Sequence, residues 1–255
     1  MKKAFPFNVS ETPFAYFNCA KSAVIHFGNE NPQYTYYANA DQIPLTVAYK
    51  DLGILVDRQF SFGNHISNLA KKAYILTKII STSFSKSNPL LTASIYKKYV
   101  LPTLTYGCPF FYPHSLDTID SLERIQKRFS KICLPSHLKK QSYAVRLAFL
   151  DQDPIELVFL KTALSFLYKI SLGTMTLTAN FPSFFFSSSR NANCKFILPA
   201  CKSQLRKSLF PCNVLSIWNS LPVPVQNSSS LALFRQRLQR IDFSSFLKGR
   251  TLITH

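Results

Sequence analysis

Carboxylates are few in this chain, and their spacing argues against metal-dependent phosphoryl transfer. Of 255 residues, 12 are Asp or Glu and 30 are Lys or Arg. Two-metal phosphoryl transfer needs paired carboxylates, which hold divalent ions at the attacking and leaving oxygens. The chain has no Asp-Asp pair, and Glu11 and Glu30 are the only acids before Asp41. We therefore expect no catalysis of this kind, and no metal or cofactor on this chain.

Three other groups of residues could carry chemistry, and each has a plainer interpretation. Asp51 and Asp57 have the even spacing of one strand face, which suits a metal pair but equally a solvated face. Cys194, Cys201 and Cys212 are a weak zinc candidate because the chain has no CxxC pair, so we expect reduced, mostly buried thiols. His65 is a lone histidine near a predicted helix start, where a hydrogen-bonding role is expected.

The positive charge is concentrated after residue 60. Residues 1–60 carry five Lys/Arg and five Asp/Glu, residues 61–150 carry thirteen and three, and residues 151–255 carry twelve and four. This pattern predicts a surface that binds a polyanion such as nucleic acid, although solvated helix faces would give the same composition. The candidate contact residues are Lys71, Lys72, Lys78, Lys97, Lys98, Arg124, Lys127, Arg128 and Lys131.

Hydrophobic periodicity predicts an α+β protein that is mostly helical. The predicted elements are a small antiparallel meander (Ala23–Gly28, Gln33–Tyr37, Ile43–Val47, Leu52–Asp57) and helices over 64–84, from Pro89 to about Val100, 116–133, 155–171 and 229–239. Pro102 is expected to kink or stop the second helix. Three domains are predicted: a β meander over 1–60, a helical region over 61–150, and a helical extension over 151–255 with a long loop at about 174–204.

Several phrases, in this order, resemble the end of a known enzyme family. They are YKDLGILVDRQFSFGNHISNLAKKA (49–73), IYKKYVLPTLTYGCPFFYP (95–113), IDSLERIQKRFSKICLP (119–135), KSLFPCNVLSIWNSLP (207–222) and SSSLALFRQRL (228–238). The order is similar to the end of the palm, the thumb and the C-terminal extension of non-LTR (LINE-type) retrotransposon reverse transcriptases. In those enzymes the catalytic carboxylates lie upstream, and Mg²⁺ is implied only for the intact enzyme.

The resemblance also implies roles for single residues. Lys21 matches a family lysine near the leaving pyrophosphate, and Leu52-Gly53 matches the primer-grip strand pair, in which Gly53 would allow close approach of nucleic acid. The basic helices match a thumb that grips a template–primer duplex. From the pattern alone, Leu52, Ile54 and Val56 are expected in the core. Packing is also expected to be the role of Tyr96, Tyr99, Tyr106 and Phe129, rather than base stacking.

The function implied is that of a truncated RNA-directed DNA polymerase that lacks its catalytic carboxylates and keeps a template–primer-binding thumb. Expected partners are an RNA–DNA or DNA duplex and the absent polymerase portion, and no membrane partner is expected because no window reaches about 18 apolar residues. Two alternatives stay open: an independent basic nucleic-acid-binding protein, and a fragment without a function of its own. The compartment, nuclear or cytoplasmic, is also left open.

Overall fold

The computed structural model describes residues 5–6, 18, 21–28, 31–38, 41–84, 88–113, 115–173, 196–198 and 210–249. The chain forms two compact units, Met1–Asn68 and Leu69–His255, so the division falls inside the first helix. The predicted loop at about 174–204 lies outside the described residues except for 196–198, and so do Cys194 and Cys201.

Short strands make up the first unit. β1 (Phe5–Pro6) pairs in parallel with β2 (Tyr36–Ala38), which pairs antiparallel with β3 (Asp41–Gln42). β4 (Ala48–Asp51) and β5 (Ile54–Asp57) form a separate antiparallel hairpin. The described part of the first unit therefore has two small sheets where one meander was predicted.

Two of the predicted strands shrink to one bridge. Ala23–Gly28 and Ile43–Val47 meet only through a parallel bridge between Val24 and Leu45. The Val24 amide donates to the Pro44 carbonyl at 2.9 Å, and the Val24 carbonyl accepts from the Thr46 amide at 2.9 Å. Because Pro44 has no N–H to donate, a longer ladder is interrupted there.

The β4–β5 hairpin turns at Leu52 and Gly53, the two residues matched to a primer grip. Both have positive φ, 45° and 88° respectively, as a tight two-residue hairpin turn requires. The expectation that Leu52 belongs to the core is wrong, because its position in the turn leaves it 83% exposed. Ile54 and Val56 are half-buried.

Asp57 organises the turn that leads from β5 into the first helix. Its carboxylate accepts hydrogen bonds from the amides of Gln59, Ser61 and Phe62 at 2.9, 2.9 and 3.1 Å, and from the Ser61 hydroxyl at 2.6 Å. Burial opposes ionisation, but these hydrogen bonds together hold the pKa of Asp57 below its usual value of 3.8. Asp51 lies at the other end of the hairpin, opposite Ile54. The two acids therefore do not form the metal pair considered above.

Replacing Asp57 with alanine should destabilise this turn by about 1–2 kcal/mol, because three amides lose their side-chain acceptor. Faster hydrogen exchange at the amides of Gln59, Ser61 and Phe62 would measure the loss. Since the pKa of Asp57 is lowered, the stabilisation is present above pH 3.8 and disappears as the pH falls through the folded-state pKa. The exposed Asp51→Ala is the matched control, and equal protection in both variants would contradict the role given to Asp57.

Helices account for most of the described chain. They are α1 (Gly63–Ser83), α2 (Pro89–Thr105), α3 (Leu116–Cys133), α4 (Ser136–Lys139), α5 (Tyr143–Phe149), α6 (Ile155–Ser171), α7 (Phe210–Ser220), α8 (Val223–Gln226), α9 (Leu231–Leu238) and a 3₁₀ turn at Ser244–Phe246. The predicted bounds hold within two residues for α1, α3, α6 and α9. The α2 helix begins as expected, with the Asn88 side chain accepting from the Leu90 amide.

The α2 helix was predicted to kink or stop near Val100. The prediction of a stop there is wrong. The helix continues through Pro102 to Thr105. Val100 and Leu104 are fully buried on its inner face, so packing of the last turn outweighs the hydrogen bond that proline removes.

The core of the second unit is built around α6, which packs against α2, α3, α7 and α9. A helix with neighbours on several sides can be apolar on most of its surface, and α6 buries residues such as Phe159, Leu164 and Leu167. Stacked rings extend the core: Tyr96 on Phe129 at 4.1 Å and Tyr168 on Phe234 at 4.3 Å between centroids.

The predicted fold class is confirmed: the protein is mostly α-helical, with a small β component near the N-terminus. The predicted regions 61–150 and 151–255 lie almost wholly within one compact unit. Among the described residues, no helix has the length and apolar character needed to cross a bilayer.

Candidate nucleic-acid interface

The α3 helix separates a buried face from a basic face. Ile119, Leu122 and Phe129 are buried, whereas Arg124, Arg128 and Lys131 are exposed. The three exposed cations are four and three residues apart, so they lie in one row along the helix. Asp117 in the first turn and Lys131 in the last complement the helix dipole.

A cation–π contact connects this row to α1. The Arg128 guanidinium lies over the Tyr74 ring, 5.2 Å from its centroid. Lys71 and Lys78 come three residues before and four residues after Tyr74, which places them on the same side of α1. Both lysines are exposed. The Arg128–Tyr74 contact therefore brings basic residues of two helices to one surface.

We name this set the α1–α3 basic surface, and it consists of Lys71, Lys78, Arg124, Arg128 and Lys131. Within the part of the chain that the structure describes, none of the five lies within ion-pair distance of a carboxylate. The Arg124 Nε donates instead to the backbone carbonyl of Asp120 at 3.3 Å. Five cations without such neutralisation create a positive potential that favours anions.

A buried polar row on α3 fixes the orientation of this surface. Glu123, Gln126 and Ser130 are almost fully buried, at spacings of three and four. The Glu123 carboxylate accepts from the Ile155 amide at 2.9 Å and from the Tyr143 hydroxyl at 2.9 Å. These bonds tie α3 to the starts of α5 and α6, so the helix cannot rotate its basic face without leaving buried polar groups unsatisfied.

The same row continues through Gln126 and Ser130. The Gln126 amide donates to the Asp153 carbonyl at 2.9 Å, and the Ser130 hydroxyl accepts from Arg146 Nε at 3.1 Å. Arg146 is buried, and it also donates to the Gln141 carbonyl at 2.6 Å. Arg146 therefore makes these hydrogen bonds inside the fold, and its guanidinium is not part of the exposed basic face of α3.

Burial gives Glu123 an unusual protonation equilibrium. It raises the pKa of Glu123 from 4.5 to about 7, against the lowering effect of the Tyr143 and Ile155 hydrogen bonds and of Lys127. Burial and the nearby Glu123 charge likewise raise the pKa of the Tyr143 hydroxyl. The carboxyl group that anchors α3 therefore ionises near neutral pH.

The remaining predicted contact residues do not join the α1–α3 basic surface in the same way. Lys127 is half-buried, with its ammonium 5.6 Å from the centre of the Tyr143 ring. Lys72 is two residues from Tyr74 and therefore about 200° around α1. Lys97 forms an ion pair with Asp151 at 2.7 Å. Its neighbour Lys98 is exposed on another side of α2.

Lys97 lines a cleft of about 830 Å³ between α2, α6 and α9, together with Lys161 and Arg235. Lys161 is paired with Asp153 at 2.7 Å and also donates to the Gln239 side chain at 2.6 Å. Two of these three cations are therefore neutralised by carboxylates in the cleft. The cleft is a weaker candidate for a polyanion than the α1–α3 basic surface.

The other sequence candidates occupy structural positions. Lys21 lies exposed in a turn, and its carbonyl accepts from the Tyr49 hydroxyl at 2.6 Å. His65 is buried, and its Nδ1 accepts from the Leu55 amide at 3.2 Å, which agrees with the hydrogen-bonding role predicted for it. Cys108 and Cys133 are free thiols. Within the described ranges, no cluster of three or more His, Cys, Asp or Glu side chains could hold a metal.

Comparison with known proteins adds one relative. No family model matches the chain, and no solved structure matches it. The chain is similar to a Caenorhabditis elegans protein named "Uncharacterized protein B0403.1", at 32% identity over 107 residues. The match covers 42% of this chain and 54% of the relative, so it spans about half the length of the curated protein.

Sequence reasoning identified the exposed cations but missed the residues that position them. Tyr74 had a usable signal, since it stands at helical spacing from both Lys71 and Lys78. Glu123, Gln126 and Arg146 had none, because polar residues in an amphipathic helix normally face solvent and their burial depends on neighbouring elements.

Proposed function

We propose that this chain binds double-stranded nucleic acid through the α1–α3 basic surface, by charge and shape rather than by base identity. The supporting observation is the Arg128–Tyr74 contact, which places exposed cations of two helices on one surface. A duplex presents phosphates as a regular array, and Lys and Arg neutralise them without reading sequence. The surplus of 30 basic over 12 acidic residues supports the same proposal.

Replacing all five cations of the surface with glutamine should weaken binding to a short DNA duplex or RNA–DNA hybrid by at least about tenfold. Counterion release gives a slope of about −0.9 per phosphate contact, so five contacts would give about −4.5 in a plot of log affinity against log salt concentration. Glutamine is a comparable helix former, so helix content should be unchanged. Fluorescence anisotropy across a salt series measures both quantities.

A charge-matched control separates this surface from net charge. The control variant replaces five other exposed cations with glutamine: Lys50, Arg58, Lys139, Lys140 and Arg240. We expect the slope of log affinity against log salt concentration to change little in the control variant. In the surface variant the same slope should become clearly less steep. Equal losses in the two variants would show that duplex binding does not depend on the α1–α3 basic surface.

We further propose that the duplex-binding surface is the thumb of a retrotransposon reverse transcriptase, as the ordered phrases imply. The second candidate is a nucleic-acid-binding protein with no polymerase history, which the same basic surface would serve equally well. Reading the genomic coding sequence 5′ of the Met1 codon distinguishes them. An in-frame aromatic-x-Asp-Asp motif would support the polymerase origin, and its absence from an intact upstream reading frame would favour the second candidate.

A further inference from the structure

The cleft between α2, α6 and α9 brings together cations from three helices. Its volume of about 830 Å³ lies in the range of sites that hold small molecules. Lys97 on α2, Lys161 on α6 and Arg235 on α9 line it, and so do Asp151 and Asp153 from the segment between α5 and α6. Three positive and two negative side chains give the lining a net charge of +1.

Carboxylates hold the two lysines of the cleft in place. Lys97 forms an ion pair at 2.7 Å with Asp151, whose side chain is 94% exposed at the edge of the cleft. The Lys161 side chain is only 13% exposed, and it donates to Asp153 at 2.7 Å and to Gln239 at 2.6 Å. An ammonium group has three N–H donors. The hydrogen bonds found in the described part of the chain therefore leave each lysine able to donate to a ligand.

Arg235 is the cation of the cleft that its carboxylates do not neutralise. It is exposed, and among the residues that the structure describes no carboxylate lies within ion-pair distance of it. Arg235 comes one helical turn before Gln239, which contacts Lys161, so both stand on the cleft side of α9. A guanidinium binds a planar oxyanion through two parallel N–H groups. Arg235 therefore suits the charged group of an anionic ligand.

Apolar side chains form another part of the lining. They are Leu101, Ala148, Val158 and Leu238. Leu101 follows Lys97 by one turn of α2, and Val158 precedes Lys161 by three residues of α6, so each lysine has an apolar neighbour on the same side of its helix. Small-molecule sites commonly combine apolar walls with a few convergent polar groups. A ligand that fits this cleft has an apolar body beside its charged group.

We propose that this cleft binds a small organic monoanion, with its carboxylate or sulfonate group on Arg235 and its apolar part against Leu101 and Val158. The surplus of one positive charge fits one negative charge, whereas a polyanion would also meet the carboxylate of Asp151 at the edge. The ion pair of Lys161 fixes a donor before the ligand arrives, and such preorganisation reduces the entropy lost on binding. The proposal is independent of duplex binding, because the cleft uses none of the five residues of the α1–α3 basic surface.

The test uses two fluorescent probes that differ in charge. The sulfonate probe is 1-anilinonaphthalene-8-sulfonate, and the neutral probe, N-phenyl-1-naphthylamine, is the same apolar body without the sulfonate. Arg235→Gln should weaken binding of the sulfonate probe by at least about threefold, the effect of losing one charge-assisted contact at an exposed site. It should leave the affinity for the neutral probe unchanged. Sodium octanoate should displace the sulfonate probe, whereas sodium acetate, which lacks an apolar body, should not.

A second variant fills the cleft. Ala148 is an exposed position of the lining, so Ala148→Trp places a large ring in the cleft without disturbing the core, and both probes should bind more weakly. Ser67→Trp adds the same ring at an exposed position outside the cleft, and Arg58→Gln removes an exposed arginine there. Both controls should bind the two probes as the unaltered protein does. Circular dichroism checks that each variant keeps its helix content.

Further outcomes separate this cleft from the duplex-binding surface and from other apolar surface. The five-glutamine surface variant should keep its affinity for the sulfonate probe, and Ala148→Trp should keep its affinity for a DNA duplex. The proposal is overturned if the unaltered protein shows no saturable binding of the sulfonate probe, or if Ala148→Trp binds both probes with full affinity. It is also overturned if Arg235→Gln keeps full affinity for the sulfonate probe or loses affinity for both probes equally.

Discussion

Replacing Trp218 with alanine should destabilise the helical unit by about 3–5 kcal/mol, the usual result of truncating a fully buried large ring. Trp218 is 0% exposed and lies between Phe196 and Phe234, at 5.6 and 5.7 Å between centroids. A loss of this size is a large fraction of the about 5–15 kcal/mol that holds a domain folded. Because Trp218 is the single tryptophan of the chain, chemical denaturation should be followed by far-ultraviolet circular dichroism.

Two further variants make the Trp218 result specific. Trp218→Phe keeps a ring in the core and should lose less stability than Trp218→Ala. Phe110→Ala removes an aromatic side chain that is 63% exposed, so it should change stability by no more than about 0.5 kcal/mol. Equal midpoints for Trp218→Ala and Phe110→Ala would contradict the central position of Trp218.

Glu123→Gln should become increasingly stable relative to the unaltered protein as the pH rises. The folded-state pKa of Glu123 is about 7, against an ordinary value of 4.5. A raised pKa means that this carboxyl group stabilises the fold most when protonated. The stabilisation is complete below pH 4.5 and is lost as the pH rises through about 7. Glutamine is neutral at every pH and still offers one acceptor oxygen, so the variant escapes the loss.

The expected change in the stability difference is about 2–3 kcal/mol between pH 5 and pH 8. Denaturation midpoints of both proteins across this range measure it, and a carboxyl titration followed by NMR measures the pKa of Glu123 directly. Asp120→Asn, at an exposed position one turn earlier on the same helix, is the control and should show a flat difference. A flat difference for Glu123→Gln as well would mean that folding does not raise the pKa of Glu123.

The hydrogen bonds of Glu123 hold α3, and α3 carries part of the α1–α3 basic surface. Ionisation of Glu123 is therefore expected to affect the stability of that surface as well. Ionisation near pH 7 places a buried negative charge beneath Lys127, one turn along the same helix. The ionised group can keep its bonds to Ile155 and Tyr143, but burial denies it solvation by water, and this cost lowers the stability with which α3 is held. We therefore expect the amides of α3 (Leu116–Cys133) to be less protected against hydrogen exchange at pH values above about 7 than below it.

The sequence by itself determined the long helices and the location of charge. The α3 helix was predicted at its observed bounds, because Ile119, Leu122, Ile125 and Phe129 repeat at helical spacing. The structure adds the cap: the Ser115 side chain accepts from the Thr118 amide. The Trp218-Asn219 pair belongs to one of the phrases that carry the resemblance. In the fold it is structural: the Asn219 side chain bonds both the amide and the carbonyl of Phe196 at 2.9 Å.

Only the tertiary structure decided which polar and apolar residues face solvent. Glu123 and Arg146 are buried, and Leu52 and Tyr99 are exposed, which is the reverse of what residue type alone predicts. Periodicity shows which residues share one side of a helix or strand. Whether that side is buried depends on which other elements pack against it, and those elements come from distant parts of the chain. For the same reason the sequence supplied nine candidate cations, and the contact between Arg128 and Tyr74 determined which of them form one surface.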